Sequence, residues 1–192
     1  MQFDKSIIEK EIIPYFSPTI KSLLQGVPTD LLCSLEEIRL RAGKPLVLKV
    51  GDDDFAINPP REVTRNLMDG YIISPEDIFR TIASISDNSL YAFAEEIRRG
   101  FITIPGGHRV GLAGQVIVEN YDVKNMKNFS GICFRVAREV KGCASPLLKK
   151  ISSSSGRVDN TLIISPPRCG KTTILRDLAR LLSTGGDGLT PP

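Results

Sequence analysis

The chain has 192 residues, 41% of them apolar and 24% charged, a balance that excludes collagen-like or wholly disordered classes. A net charge of +3, no Trp and only 6% aromatic residues give no electrostatic or stacking reason to expect a nucleic-acid partner. Residues 1–70 carry 9 basic and 11 acidic groups and residues 71–192 carry 16 and 11, so the positive excess lies late in the chain.

Cys33, Cys133, Cys143 and Cys169 form no C-x-x-C pair, and His108 is the single histidine, which argues against a zinc site or a disulfide framework. No basic leader with an apolar stretch opens the sequence, and no run nears the ~18 apolar residues of a membrane span. The expectation is a soluble protein of a reducing, cytoplasmic compartment.

Phe3, Ile7, Ile8 and Ile12 recur at helical spacing as far as Pro14. Ser17-Pro18, an N-cap followed by a first-turn proline, starts a second helix that stops at Gly26. Glu37–Arg41 alternates charged and apolar residues, Ala42–Pro45 turns, and Leu46–Val50 returns, so a hairpin is expected there. Gly51-Asp52-Asp53 turns the chain again into Phe55–Ile57. Ser74-Pro75-Glu76-Asp77 combines cap, proline and first-turn acids into a helix start. A helix is expected from about Asn88 to Arg99, with Gly100 as its left-handed terminator. Short strands follow at Phe101–Ile104, Arg109–Leu112, Gln115–Glu119 and Ile132–Val136, and Asn120–Gly131 reads as a polar loop. A helix from Ser145 closes on Lys149 and Lys150, cations suited to its C-terminal dipole.

The Ser-rich stretch 152–160 is the one linker-like segment. The expected organisation is therefore an α+β N-terminal domain over 1–151, helices plus antiparallel strands, then a second element over 161–192. That element opens with Thr161–Ile164, a short apolar strand, and continues as Ser165-Pro166-Pro167-Arg168-Cys169-Gly170-Lys171-Thr172-Thr173. From Pro166 on it follows the phosphate-loop pattern G-x-x-x-x-G-K-[ST], with Ser165 where the first glycine belongs and the bulky Arg168 inside the loop. Ile174, Leu175, Leu178, Leu181 and Leu182 then suit an amphipathic helix running to about Ser183. Loop and first-turn amides would face phosphates, Lys171 would reach the β- and γ-phosphates of ATP, and Thr172 would hold Mg²⁺. A chance Gly-Lys-Thr in an ordinary strand-turn-helix is the alternative, and the strand before and helix after favour phosphate binding.

Glu37–Pro45, Ser89–Phe93, Gly100–Leu112 and Pro166–Thr173 together resemble the stage III sporulation protein AA family of endospore-forming bacteria. The likeness runs from about Leu35 to Ser183. It implies a RecA-like α/β core beginning at the strand–loop–helix, similar to the hexameric secretion and pilus-retraction ATPases. It also implies a mother-cell protein that forms a ring with copies of itself. Its partners would be the membrane channel proteins of the sporulation apparatus, which join mother cell and forespore. The family's loop usually carries glycine where Arg168 stands, and its acidic Mg²⁺-binding strand lies beyond Pro192. The chain is therefore expected to be cut off after the first core helix and to hydrolyse no ATP alone. The second reading is a non-hydrolysing assembly module that docks onto channel partners.

Arg109, Arg135 and Arg138 lie on or beside the late strands, and by analogy with those motors Arg135 and Arg109 are candidates for meeting nucleotide phosphate, against the alternative of a solvent-facing strand surface. His108 reads as a turn histidine, Cys169 as loop packing, and Glu95 and Glu96 as solvent charges.

Overall fold

Two serine-proline steps set the helices of the first half. Ser17 caps α2 (Pro18–Leu24), its hydroxyl accepting the Ile20 amide, and Ser74 caps α4 (Pro75–Ile85) in a reciprocal capping box with Asp77. Asp77 also ties the two helices together. Its carboxylate accepts the Ser17 hydroxyl at 2.6 Å, the Tyr71 hydroxyl at 2.9 Å and the Ser74 amide at 3.0 Å. Burial alone would push this carboxyl up, but the hydrogen bonds from Ser17, Ser74 and Tyr71 together outweigh it and hold it below the ordinary value.

The structure is a computed structural model that describes residues 5–137, 140–152, 158–166 and 169–184. The chain forms two compact units that divide between Ala137 and Arg138. The first is α+β, with a seven-stranded antiparallel sheet in the order β4-β3-β2-β1-β7-β6-β5. Its strands are β1 (Glu37–Arg41), β2 (Val47–Val50), β3 (Asp53–Asn58), β4 (Glu62–Thr64), β5 (Phe101–Ile104), β6 (His108–Glu119) and β7 (Asp122–Arg135). The helices beside α2 and α4 are α1 (Lys5–Ile7), α3 (Thr29–Ser34) and α5 (Ala94–Arg98).

Alternation sorts each strand's side chains between two faces. Ile38 and Leu40 of β1, Leu48 of β2, Ile57 of β3, Val110 of β6 and Ile132 and Phe134 of β7 point into the core. There they join Ile8, Ile12, Phe16, Ile20, Leu24, Ile78 and Ile82 from the helical layer, and the Phe16 and Phe134 rings lie 4.5 Å apart, centroid to centroid. The opposite face is a charged lattice. Arg39 meets Glu37 at 2.7 Å and Asp54 at 3.4 Å, Lys49 meets Asp54 at 3.6 Å, and Arg135 meets Glu37 at 3.1 Å.

Four sequence expectations are corrected in this unit. The first helical stretch does not end at Pro14. It passes from α1 through a π-helical turn (Ile8–Ile12) into a 3₁₀ turn (Ile13–Tyr15), where proline near a 3₁₀ start lacks only an amide that is unpaired anyway. The helix expected over 88–99 is a 3₁₀ turn (Leu90–Phe93) running into α5, because Asp87 and Asn88 sit at φ +47° and +59° and break the path before it. Asn120–Gly131 is not a loop: Asp122–Gly131 belongs to β7, which pairs with β6 from Glu119–Asp122 back to Arg109–Arg135. The outer part of that ribbon is water-exposed on both faces, so it lacks the alternation that marks a half-buried strand. His108 is a fully buried strand residue rather than a turn residue, its Nδ1 accepting the Ala137 amide at 2.9 Å and its Nε2 lying 3.0 Å from Glu11.

The second unit holds α6 (Ser145–Ile151) and α7 (Lys171–Thr184), which pack Ala144, Leu148, Leu178 and Leu181 into a small core. The break between units thus comes before α6, ahead of the Ser-rich stretch where the sequence places the linker. Residues 153–157 of that stretch lie outside the described residues. Ser152 and Val158, on either side of them, form an antiparallel bridge.

Candidate functional site

A phosphate loop works by placing a lysine, a glycine and the bare amides of a helix start around one small volume. Here the helix is α7, whose regular ladder begins as the Ile174 amide bonds the Gly170 carbonyl at 3.0 Å. Gly170 has φ +77°, a conformation that disfavours any side chain, and among the described residues nothing lies within 4 Å of a methyl group built on it.

Lys171, half-buried, turns back across the loop. Its ammonium donates to the Ser165 carbonyl at 2.6 Å, the Pro166 carbonyl at 2.8 Å and the Ser165 hydroxyl at 3.2 Å. An ammonium has three protons, so these three acceptors match its capacity. Ser165 thus holds the lysine with both its backbone and its side chain. Thr172 is exposed at the start of α7, and Thr173 is half-buried with its carbonyl facing the Cys143 thiol at 3.9 Å. Cys169 is exposed. Pro167 and Arg168 lie outside the described residues. The structure therefore brings together Ser165, Pro166, Gly170 and Lys171 at the head of α7, with Thr172 beside them.

Two sequence expectations fail around this site. Thr161–Ile164 is not a strand; Leu162 and Ile164 are each 82% exposed, and the segment belongs to no described sheet. A lone apolar run has no ladder to join, and a strand without a neighbour is unstable in water. Leu175 is 52% exposed and does not belong to the buried stripe of α7. The stripe is Ile174, Asp177, Leu178 and Leu181, at positions i, i+3, i+4 and i+7.

Asp177 was not singled out from the sequence. Its carboxylate accepts the Ala144 amide at 2.9 Å, beside the start of α6, and the Arg180 guanidinium at 2.7 Å. The Ala144 amide foremost, then Arg180 and the Gly142 amide, draw its carboxyl down to about 2. Burial and this nearby carboxylate push the Cys143 thiol up. The signal available in the sequence was an acid on the apolar side of a helix, with Arg three positions on.

The arginines expected to meet phosphate have other engagements. Arg135 pairs with Glu37, and the Arg109 guanidinium lies 5.3 Å from the centre of the Phe101 ring. Arg138 lies outside the described residues. Glu95 is paired with Arg98 on α5. Among the described residues no group of three His, Cys, Asp or Glu side chains is arranged to hold a metal ion, and no helix is long and apolar enough to cross a membrane.

Comparison with known proteins gives a family match over residues 8–190, to the family described as sporulation stage III, protein AA. Stage III sporulation protein AA of Bacillus subtilis (strain 168) is 39% identical over 182 residues, which is 94% of this chain and 54% of that protein. The chain thus spans about half the length of this curated relative. Among solved structures it is similar to the ATPase DotB of Legionella pneumophila, with a TM-score of 0.42 at 14% identity, over 97% of this chain and 44% of that one. It is also similar to the VirB11 ATPase of the Brucella suis type IV secretion system, with a TM-score of 0.30 at 12% identity, over 79% and 39% of the two chains.

Proposed function

The chain belongs to the sporulation stage III, protein AA, family, and from that premise we propose that it is the ATP-binding component of a sporulation secretion-type ATPase. In this reading residues 161–192 begin a RecA-like core whose phosphate loop is Ser165–Thr173. The observation that supports it is the return of Lys171, at the head of a 14-residue helix, onto the Ser165 and Pro166 carbonyls.

The residues fit a nucleotide phosphate chemically. The amides that begin α7 present donors to an anion, and the helix dipole favours negative charge there. Lys171 would hold the β- and γ-phosphate oxygens, and the exposed Thr172 hydroxyl would hold the Mg²⁺. Bound ATP with Mg²⁺ would supply the phosphoryl-transfer energy. The chain's own residues bind and orient the phosphates.

The intact protein would assemble as a hexameric ring in the mother-cell cytoplasm and power or build a channel toward the forespore with membrane partners. Lys171→Ala in the chromosomal gene tests this reading. A motor role predicts that heat-resistant spore counts collapse while the variant protein accumulates normally. Normal sporulation in that strain would leave the loop without a function.

A further inference from the structure

The first unit carries a surface that nucleotide binding does not use. A groove of about 850 Å³ runs beside α4, bounded by α4 and the 90–98 segment on one side and by Lys124–Phe129 of β7 on the other. Its floor is the buried Ile78, Ile82 and Ile97. At its rim Phe79, Leu90 and Tyr91 are 68%, 42% and 95% exposed. Large apolar side chains left in water around a concave apolar floor mark an interaction surface.

Charge narrows the partner. The charged side chains that line the groove are Arg98, Lys124 and Lys127, all cations. Arg98 and Lys124 share their charge with Glu95 and Glu119, while Lys127 has no acidic partner among the described residues.

Backbone geometry narrows it further. β1 covers β7 only at Gly131–Arg135, so a strand added along the rest of β7 would need the edge amides there. The Val123 amide is already taken by the Asp122 side chain at 2.9 Å and the Met126 amide by Asn125 at 2.8 Å. The register also skips Lys124, since Ile117 pairs with Asn125 and Val118 with Val123, which leaves a bulge on this edge. Such features blunt an edge against strand pairing. What the groove offers is side-chain contact along α4, whose 11 residues span about 16 Å at ~1.5 Å per residue, or three turns of a facing helix.

We propose that this groove binds an amphipathic α-helix of a partner protein whose apolar stripe is flanked by Asp and Glu. Neither α7 nor α2 of a second copy offers such a helix, because α7 exposes Arg176 and α2 carries Lys21. The inference rests on the first unit alone and stands apart from the nucleotide reading.

The test uses the whole 192-residue chain and two fluorescein-labelled designed helical peptides of about five turns. Both carry one leucine stripe; one is flanked by Glu and the other by Lys. Anisotropy titration is expected to show saturable binding of the Glu peptide, with the Lys peptide at least about tenfold weaker. Tyr91→Ser and Lys127→Glu change exposed side chains, so the fold is kept, and each is expected to weaken the Glu peptide about tenfold. Equal binding of the two peptides, or an affinity unmoved by Lys127→Glu, would overturn the proposal. So would self-association of the wild-type chain that Tyr91→Ser abolishes, since a second copy would then occupy the groove.

Discussion

Gly106→Ala tests the packing that surrounds the buried histidine of the first unit. Gly106 has φ +83°, and a methyl group on it would lie 1.9 Å from Glu11 Oε2 and 2.7 Å from His108 Nε2. Those two atoms are themselves 3.0 Å apart, so the new carbon falls between the partners of a hydrogen bond. Because His108 Nδ1 accepts the Ala137 amide, a neutral ring carries its proton on Nε2 and donates it to Glu11. Two costs follow. Holding alanine at a left-handed φ costs about 1–2 kcal/mol. Driving Glu11 away leaves a buried imidazole donor unsatisfied, for about 1–3 kcal/mol more. Gly43→Ala is the internal control, since Gly43 has φ +72° but nothing within 4 Å of a built methyl group, so only the first cost applies. Hydrogen exchange of the β6 amides gives the opening free energy of the first unit separately from the second. Gly106→Ala is expected to lower it by about 2–5 kcal/mol and Gly43→Ala by about 1–2 kcal/mol. Equal losses in the two variants would refute the Glu11–His108 contact.

In the second unit, the Asp177 carboxyl is held at about 2 against an unfolded value of ~3.9, so its stabilising contribution is present above the unfolded value and lost as pH falls toward 2. Exchange of the Ala144 amide, which Asp177 accepts, should therefore lose protection between about pH 5 and pH 2, and Asp177→Asn should remove that dependence. Leu178→Ala empties a nearly buried site between α6 and α7 and is expected to cost about 2–5 kcal/mol of that unit's stability. Leu175→Ala, on the exposed side of the same helix, should stay within about 0.5 kcal/mol, and thermal melts of the pair would expose a wrong assignment of the buried face if they fell equally.

What was legible in the sequence depended on whether local chemistry or distant neighbours made the element. Ser17-Pro18 and Ser74–Asp77 announce their helices because caps and first-turn prolines act within four residues, and the Glu37–Val50 hairpin shows because one of its faces is buried. Gly100, at φ +81°, terminates α5 as a left-handed glycine should. The outer part of the β6–β7 ribbon was hidden because both its faces meet water, so its pattern is polar whether paired or not. Thr161–Ile164 misled in the opposite direction: four residues of strand-forming composition say nothing about the neighbour that a strand needs.

At the candidate site, the Gly170-Lys171-Thr172 triplet and the helix behind it were readable as a motif. The double hold of Ser165 on the lysine was not, since it depends on how the loop folds over. Asp177 escaped because an acid inside an apolar stripe breaks the very periodicity used to find the helix, and its partner amide lies 33 residues away.

Titration of the 192-residue chain with a fluorescent ATP analogue in the presence of Mg²⁺ probes nucleotide binding at Lys171. Saturable binding is expected, with affinity reduced at least about tenfold by Lys171→Ala, as removal of a charged phosphate contact requires. Thr172→Ala should weaken the Mg²⁺ dependence of whatever binding remains. A Lys171→Ala chain that binds the analogue as tightly as the wild type, or a wild-type chain that does not bind it, would mean that Lys171 holds no nucleotide phosphate.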